Sequence, residues 1–229
     1  MDLWKSLPEG YEAMPTIEYY KAENKTTDAV FVIFPGGGYS HHSEPEGAGY
    51  AKMFNVWGAD AFVVKYSVAP SVFPCQLCDA KRAVQIVRAN APQYGINPEN
   101  DEISKENFLP NYQVLCYPVI TLSDDDIVNK GSRRHLIGEN YDIDLARKLS
   151  PQLVCDEKTP PAFIWHNADD GAVHVFNSIN YAKSLREHNV PVELHIFPFG
   201  GHGIAAAAEK HSGQWMGLLF NWLKEMNIY

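Results

Sequence analysis

The sequence predicts an α/β fold, a mostly parallel central sheet with helices on both faces. Short, nearly all-apolar runs recur along the chain, bounded by turn residues, as strands covered on both sides require. Helical patterns lie between them, the alternation that builds parallel sheets. Several of the runs end in loops rich in glycine, acid or histidine. The 229 residues, 45% hydrophobic and 21% charged, suffice for a sizeable core. No repeat, low-complexity tract or long linker divides them, so residues 1–229 are expected to form a single domain.

The elements follow in order. Ala29–Phe34 (AVFVIF) reads as a strand buried on both faces, followed by a helix over Glu46–Trp57. Ala61–Tyr66 (AFVVKY) is the next strand, with a helix over Leu77–Asn90. Val114–Tyr117 (VLCY) precedes a helix over Tyr141–Leu149, and Ala162–His166 (AFIWH) precedes one over Val175–His188. Val192–Phe197 (VELHIF) is the last strand, and Gly213–Met226 the last helix, where Trp215, Phe220 and Trp222 fall at core spacing. In such sheets ligands gather at the carboxyl ends of the strands.

Composition excludes several functions. A formal charge of −9 and a pI near 5.4 argue against nucleic-acid or anionic-membrane partners. No apolar stretch approaches the roughly 18 residues of a membrane span. The start, MDLWKSLPEG, has neither a basic nor an apolar signal region, so a cytoplasmic location is expected. Cys75 and Cys78 form a C-x-x-C, but Cys116 and Cys155 stand singly and offer no second pair for zinc. The pair follows a proline-punctuated loop rather than a strand, so small apolar helix residues are the expected reading.

Three loops carry candidate chemistry. The first strand ends in Pro35-Gly36-Gly37-Gly38-Tyr39, where bare backbone lets amide N–H groups face a ligand. The loop has no lysine and fits neither phosphate-binding glycine pattern, whereas an oxyanion hole suits it. AFIWH leads into Asp169 and Asp170, and VELHIF into Gly200-Gly201-His202-Gly203. A carboxylate after one strand can hold the Nδ1–H of a histidine after the next and fix its tautomer. The spacing from His166 to the acid and on to Val173 favours Asp170 over Asp169. His41, His42, Glu44 and Glu46 invite a metal reading, but adjacent histidines point apart and no i, i+4 partner completes a site. Substrate contact or helix-start electrostatics is expected for them. The loop Ser67–Pro74 either shapes a ligand pocket or only turns the chain. No cofactor is expected.

These pieces resemble the α/β-hydrolase superfamily, in its small acetyl-esterase and acetylxylan-esterase-like branch. The resemblance rests on VIFPGGGYSHHS, AFVVKYSVAP, DAKRAVQIVRANAPQYGINPEN, LCYPVIT, TPPAFIWHNADD and VPVELHIFPFGGHG. It implies an α/β-hydrolase fold and ester hydrolysis, of an acetylated sugar or similar small acyl ester. His202 would be general base and acid, Asp170 its orienter, and Gly37 and Gly38 the oxyanion donors. The family's order is nucleophile, acid, histidine, with the serine on a G-x-S-x-G elbow. No G-x-S-x-G occurs among the 229 residues, so the sequence offers no catalytic nucleophile. By resemblance about 25 residues are absent at the Asn100–Asp101 joint, the ones that carry strand, elbow and helix. Either two stretches are joined across an omitted segment, or the chain lacks the elbow and is a catalytically inactive ligand-binding protein. Loss of a central strand and its helix would exceed marginal stability, which favours the first. Ser40 and Cys116 are poor substitutes, the one placed to cap a helix or touch substrate, the other in a core run. A small-molecule ester is the expected partner, and a homo-oligomer is compatible with the sequence.

Overall fold

The computed structural model describes residues 1–91, 107–206 and 208–229. The proposed joint at Asn100–Asp101 lies outside the described residues. The chain divides into two compact units, Met1–Pro110 with Tyr229, and Asn111–Ile228.

The first unit carries a three-stranded sheet in the order β1-β3-β2. Its strands are β1 (Thr16–Tyr20), β2 (Val30–Ile33) and β3 (Asp60–Lys65). β2 runs parallel to β3, and β1 runs antiparallel on the other side. A π-helical turn at Pro45–Gly49 leads into α1 (Tyr50–Val56), and α2 spans Cys75–Asn90. The core forms where α2 lays Ala83, Ile86 and Val87 against Phe62 and Val64 of β3, with Leu3 and Ile17. Phe31 of β2 stacks on Phe54 of α1 at 3.6 Å between ring centres.

The second unit carries a parallel sheet, β4 (Gln113–Cys116), β5 (Ala162–Asn167) and β6 (Val192–Phe197), in that order. Around it lie α3 (Lys130–Ile137), α4 (Ile143–Lys148), α5 (Pro151–Val154), α6 (Phe176–Glu187) and α7 (Trp215–Glu225). Every residue of β5 is buried, as a central parallel strand requires. Tyr181, Ala182 and Leu185 of α6 cover one side of it, with Ile120 and Val190. Trp215 of α7 stacks on Trp165 with ring centres 5.2 Å apart, and Trp222 is buried beside it, while Phe220 is half-buried.

Two differences from the sequence expectation concern burial and number. β2 was expected to be covered on both faces, yet Val30, Phe31 and Val32 are only half-buried. β4 is half-buried throughout. Each pairs along one edge only among the described residues, β2 with β3 and β4 with β5, so less of each is covered. β1, α3 and α5 carry no apolar run long enough to announce them. Ile164, fully buried in β5, tests the packing: Ile164→Ala should cost about 2–5 kcal/mol, read from urea unfolding followed by circular dichroism.

Candidate active site

The register of β5 and β6 explains why distant residues meet. His166 pairs with Ile196 and Asn167 with Phe197, so the two strands end side by side. The loops that follow, 168–175 and 198–204, therefore start as neighbours. Asn167 and Asp169 then bind the second loop to the first. The Asn167 side-chain amide donates to the Gly201 carbonyl at 2.8 Å. Asp169 Oδ1 accepts the Gly200 and Gly201 amides at 2.9 Å each. Those bonds, the Gly201 amide foremost, hold the Asp169 carboxyl below its ordinary pKa. Gly200 has φ of 156°, and a Cβ there would lie 2.5 Å from Asn167 Nδ2, so glycine is required by close approach.

Asp170 sits at the centre. Its Oδ1 accepts the amides of Ala172 and Val173 at 2.9 Å each, a tight acid loop. Its Oδ2 lies 2.7 Å from His202 Nδ1 and 3.1 Å from His166 Nε2. A carboxylate oxygen only accepts, so both imidazole nitrogens carry hydrogen there. His166 Nε2 is also 2.9 Å from the Val173 carbonyl, another acceptor, and its Nδ1 lies 2.7 Å from Ser178 Oγ. His166 is fully buried. It thus braces the acid from beneath, a role that sequence reasoning missed because an apolar strand hid the histidine's direction.

Burial alone would raise the Asp170 carboxyl. Hydrogen bonds from His166, His202, Val173 and Ala172 outweigh it and hold the group well below the usual carboxylate range. His202 keeps its Nδ1 on the acid, and its side chain is 34% exposed. Its Nε2 makes no protein hydrogen bond among the described residues and is open to a reacting group. Tyr117 packs on the ring at 4.7 Å, and its hydroxyl accepts the Ala205 amide at 3.0 Å, steadying the loop. The structure therefore joins Asp170 and His202 as a hydrogen-bonded pair. Asp169, the rival acid, serves the loop instead.

The glycine loop belongs to the first unit. Gly37 has φ of 133° and Gly38 φ of 60°, conformations that side chains rarely adopt. A Cβ on Gly37 would strike the His41 carbonyl. Ser40 N and Oγ both donate to the Gly37 carbonyl, at 3.0 and 2.9 Å, and Ser43 N donates to Gly36 O at 2.9 Å. These bonds use carbonyls, and the Gly37 N–H has no protein acceptor among the described residues. Ser40 is thus tied into the turn. His41 Nδ1 meets Ser40 Oγ, while His42 Nε2 meets the Tyr66 carbonyl, so the two rings point to different partners. Glu46 lies buried in the first turn of the π-helical segment. Cys75 opens α2, and burial pushes its thiol pKa up, the opposite of an activated cysteine.

Comparisons with known proteins match most of the chain. The Prolyl oligopeptidase family model matches residues 121–227, the stretch that holds both Asp170 and His202. An acetyl ester-xyloside bifunctional hydrolase from Caldicellulosiruptor lactoaceticus is 32% identical, with a TM-score of 0.92. That alignment covers 100% of this chain and 96% of the other. The acetylxylan esterase of Xylanibacter ruminicola is 31% identical over 226 residues, 89% of this chain and 47% of its own. Endo-1,4-beta-xylanase B of Butyrivibrio fibrisolvens is 28% identical over 254 residues, 94% of this chain and 39% of its own. The chain spans less than half the length of these two curated relatives. The 254 aligned positions exceed the 229 residues of the chain by 25, so at least that many have no residue here.

A pH dependence follows from Asp170. A folded pKa below the unfolded one means that the unfolded state binds more protons between the two. Stability from this group is complete above about pH 4 and is lost as pH falls toward the folded value. Asp170→Asn should flatten the acid side of the unfolding free energy against pH, by on the order of 1–3 kcal/mol. A curve unchanged from the parent protein would show that the carboxylate is not held this way.

Proposed function

The chain belongs to the α/β-hydrolase superfamily, in its acetyl-esterase and acetylxylan-esterase-like branch, and on that premise we propose that it is a carboxylic ester hydrolase for short acyl esters. The observation that carries the reading is the Asp170–His202 pair, with Nε2 turned away from the acid. His202 Nε2 takes the proton of an attacking hydroxyl, and the fixed negative charge of Asp170 stabilises the imidazolium that forms. The same nitrogen then returns the proton to the leaving alcohol. By the family resemblance alone, Gly37 and Gly38 are the proposed oxyanion donors. An acetylated sugar is the proposed substrate, on the strength of relatives named for acetyl esters and xylosides or for acetylxylan.

The nucleophilic serine is assigned to a segment absent at the Asn100–Asp101 joint, and with it the 229 residues are taken as one hydrolase domain. Two observations support this. The alignment with the xylanase B protein has at least 25 positions without a residue here. Among the described residues, β2 and β4 each pair along one edge only. A second reading, an inactive ligand-binding protein on the same fold, is favoured by the missing G-x-S-x-G alone.

One experiment separates them. The 229-residue chain is compared with a version carrying, at the joint, a segment of about 25 residues that supplies a strand and a G-x-S-x-G elbow opening a helix. Hydrolysis of 4-nitrophenyl acetate should rise by on the order of 10⁶-fold on insertion, the scale of removing a serine nucleophile, and fall again with His202→Ala. A folded, inserted chain that stays inert would sink the esterase reading. Tight calorimetric binding of acetylated xylo-oligosaccharide without turnover would then favour the binding protein.

A further inference from the structure

The second unit holds a cavity of about 320 Å³ lined by Lys130, Arg133, Arg134, Glu139 and Tyr141, with Gly131 and Gly138. Three cations face one carboxylate in a chain whose formal charge is −9. None of these groups takes part in the Asp170–His202 network.

Arg133 is the decisive residue. It is 92% buried, with relative exposure of 8%, a costly position for a guanidinium. Protein partners use only Nη1, which donates to the Leu122 carbonyl at 3.3 Å and to Asp125 Oδ1 at 2.7 Å. Asp125 is 71% exposed, so water screens its neutralising effect. Nε and Nη2 have no protein acceptor among the described residues. The guanidinium lies over the Tyr141 ring at 4.4 Å, which fixes its plane. A planar fork with spare donors suits two oxygens of a carboxylate or phosphate. Arg134 is held only loosely, its Nη1 being 3.8 Å from Glu139 Oε1, and Lys130 makes no described contact. Both can turn toward a bound anion.

We propose that this cavity is a binding site for a small organic anion, held through a carboxylate or phosphate group by Arg133, with Lys130 and Arg134 beside it. The volume accommodates a molecule of about monosaccharide size. The site stands independently of the esterase reading. Asn129 links its helix to the acid loop, with Oδ1 accepting the Ser132 amide and Nδ2 donating to the Ala172 carbonyl, at 2.7 and 2.9 Å.

Calorimetry on the 229-residue chain tests it, with glucuronate, glucose 6-phosphate, glucose and inorganic phosphate as probes. At least one organic anion should bind saturably, glucose should not, and binding should weaken as salt rises. The double variant K130Q/R134Q should reduce affinity at least tenfold while leaving the circular dichroism spectrum unchanged, and Arg133→Gln should abolish binding. Glucuronate alone would identify a carboxylate ligand, and glucose 6-phosphate alone a phosphate ester. The proposal fails if neither organic anion binds, if inorganic phosphate binds as tightly as they do, or if K130Q/R134Q leaves the affinity unchanged.

Discussion

The second unit is organised around one buried carboxylate. Asp170 accepts four hydrogen bonds, two from backbone amides and two from imidazoles. The amides fix the acid loop and the imidazoles fix two histidines. A charge in so covered a place is tolerable only because every lone-pair direction is met. With two acceptor atoms facing them, Asp170 Oδ2 and the Val173 carbonyl, both histidine hydrogens have defined places. His202 therefore presents a bare Nε2, with its tautomer fixed by the acid.

That arrangement depends on strand register more than on sequence distance. Asp170 and His202 are 32 residues apart, yet each follows a strand whose end is paired with the other's. A one-residue slip between β5 and β6 would turn side chains to the wrong face and part the loops. Asp169 and Asn167 secure the alignment from the loop side, binding Gly200 and Gly201. Gly200 is consequently a packing requirement, since any side chain there meets Asn167.

Much of this was legible beforehand. β6 begins and ends where its apolar run does, β5 runs one residue further than its run, and β3 is shifted by one residue at each end. The choice of Asp170 over Asp169 came from spacing alone, and Asp170 is the carboxylate that meets His202 Nδ1. β1 escaped because Glu18 and two tyrosines interrupt its apolar run, and its antiparallel pairing with β3 is a tertiary fact. The half-exposure of β2 escaped for a similar reason, since burial of an apolar run depends on what pairs at its edge. His166 read as the polar end of a strand. Only the fold shows that its ring points down at the acid and Ser178.

Membership of the α/β-hydrolase superfamily and the absence of G-x-S-x-G stand together in this chain. The acid and the histidine are hydrogen-bonded in this chain because the paired strands β5 and β6 and the loops that follow them bring the two together. Long-range ¹⁵N–¹H NMR of the histidine side chains tests the central claim directly, by reading which ring nitrogen carries hydrogen. At neutral pH, His202 should carry it on Nδ1 and His166 on Nε2. A neutral His202 with hydrogen on Nε2 alone would mean that Asp170 does not hold it, and the account of the site would be wrong.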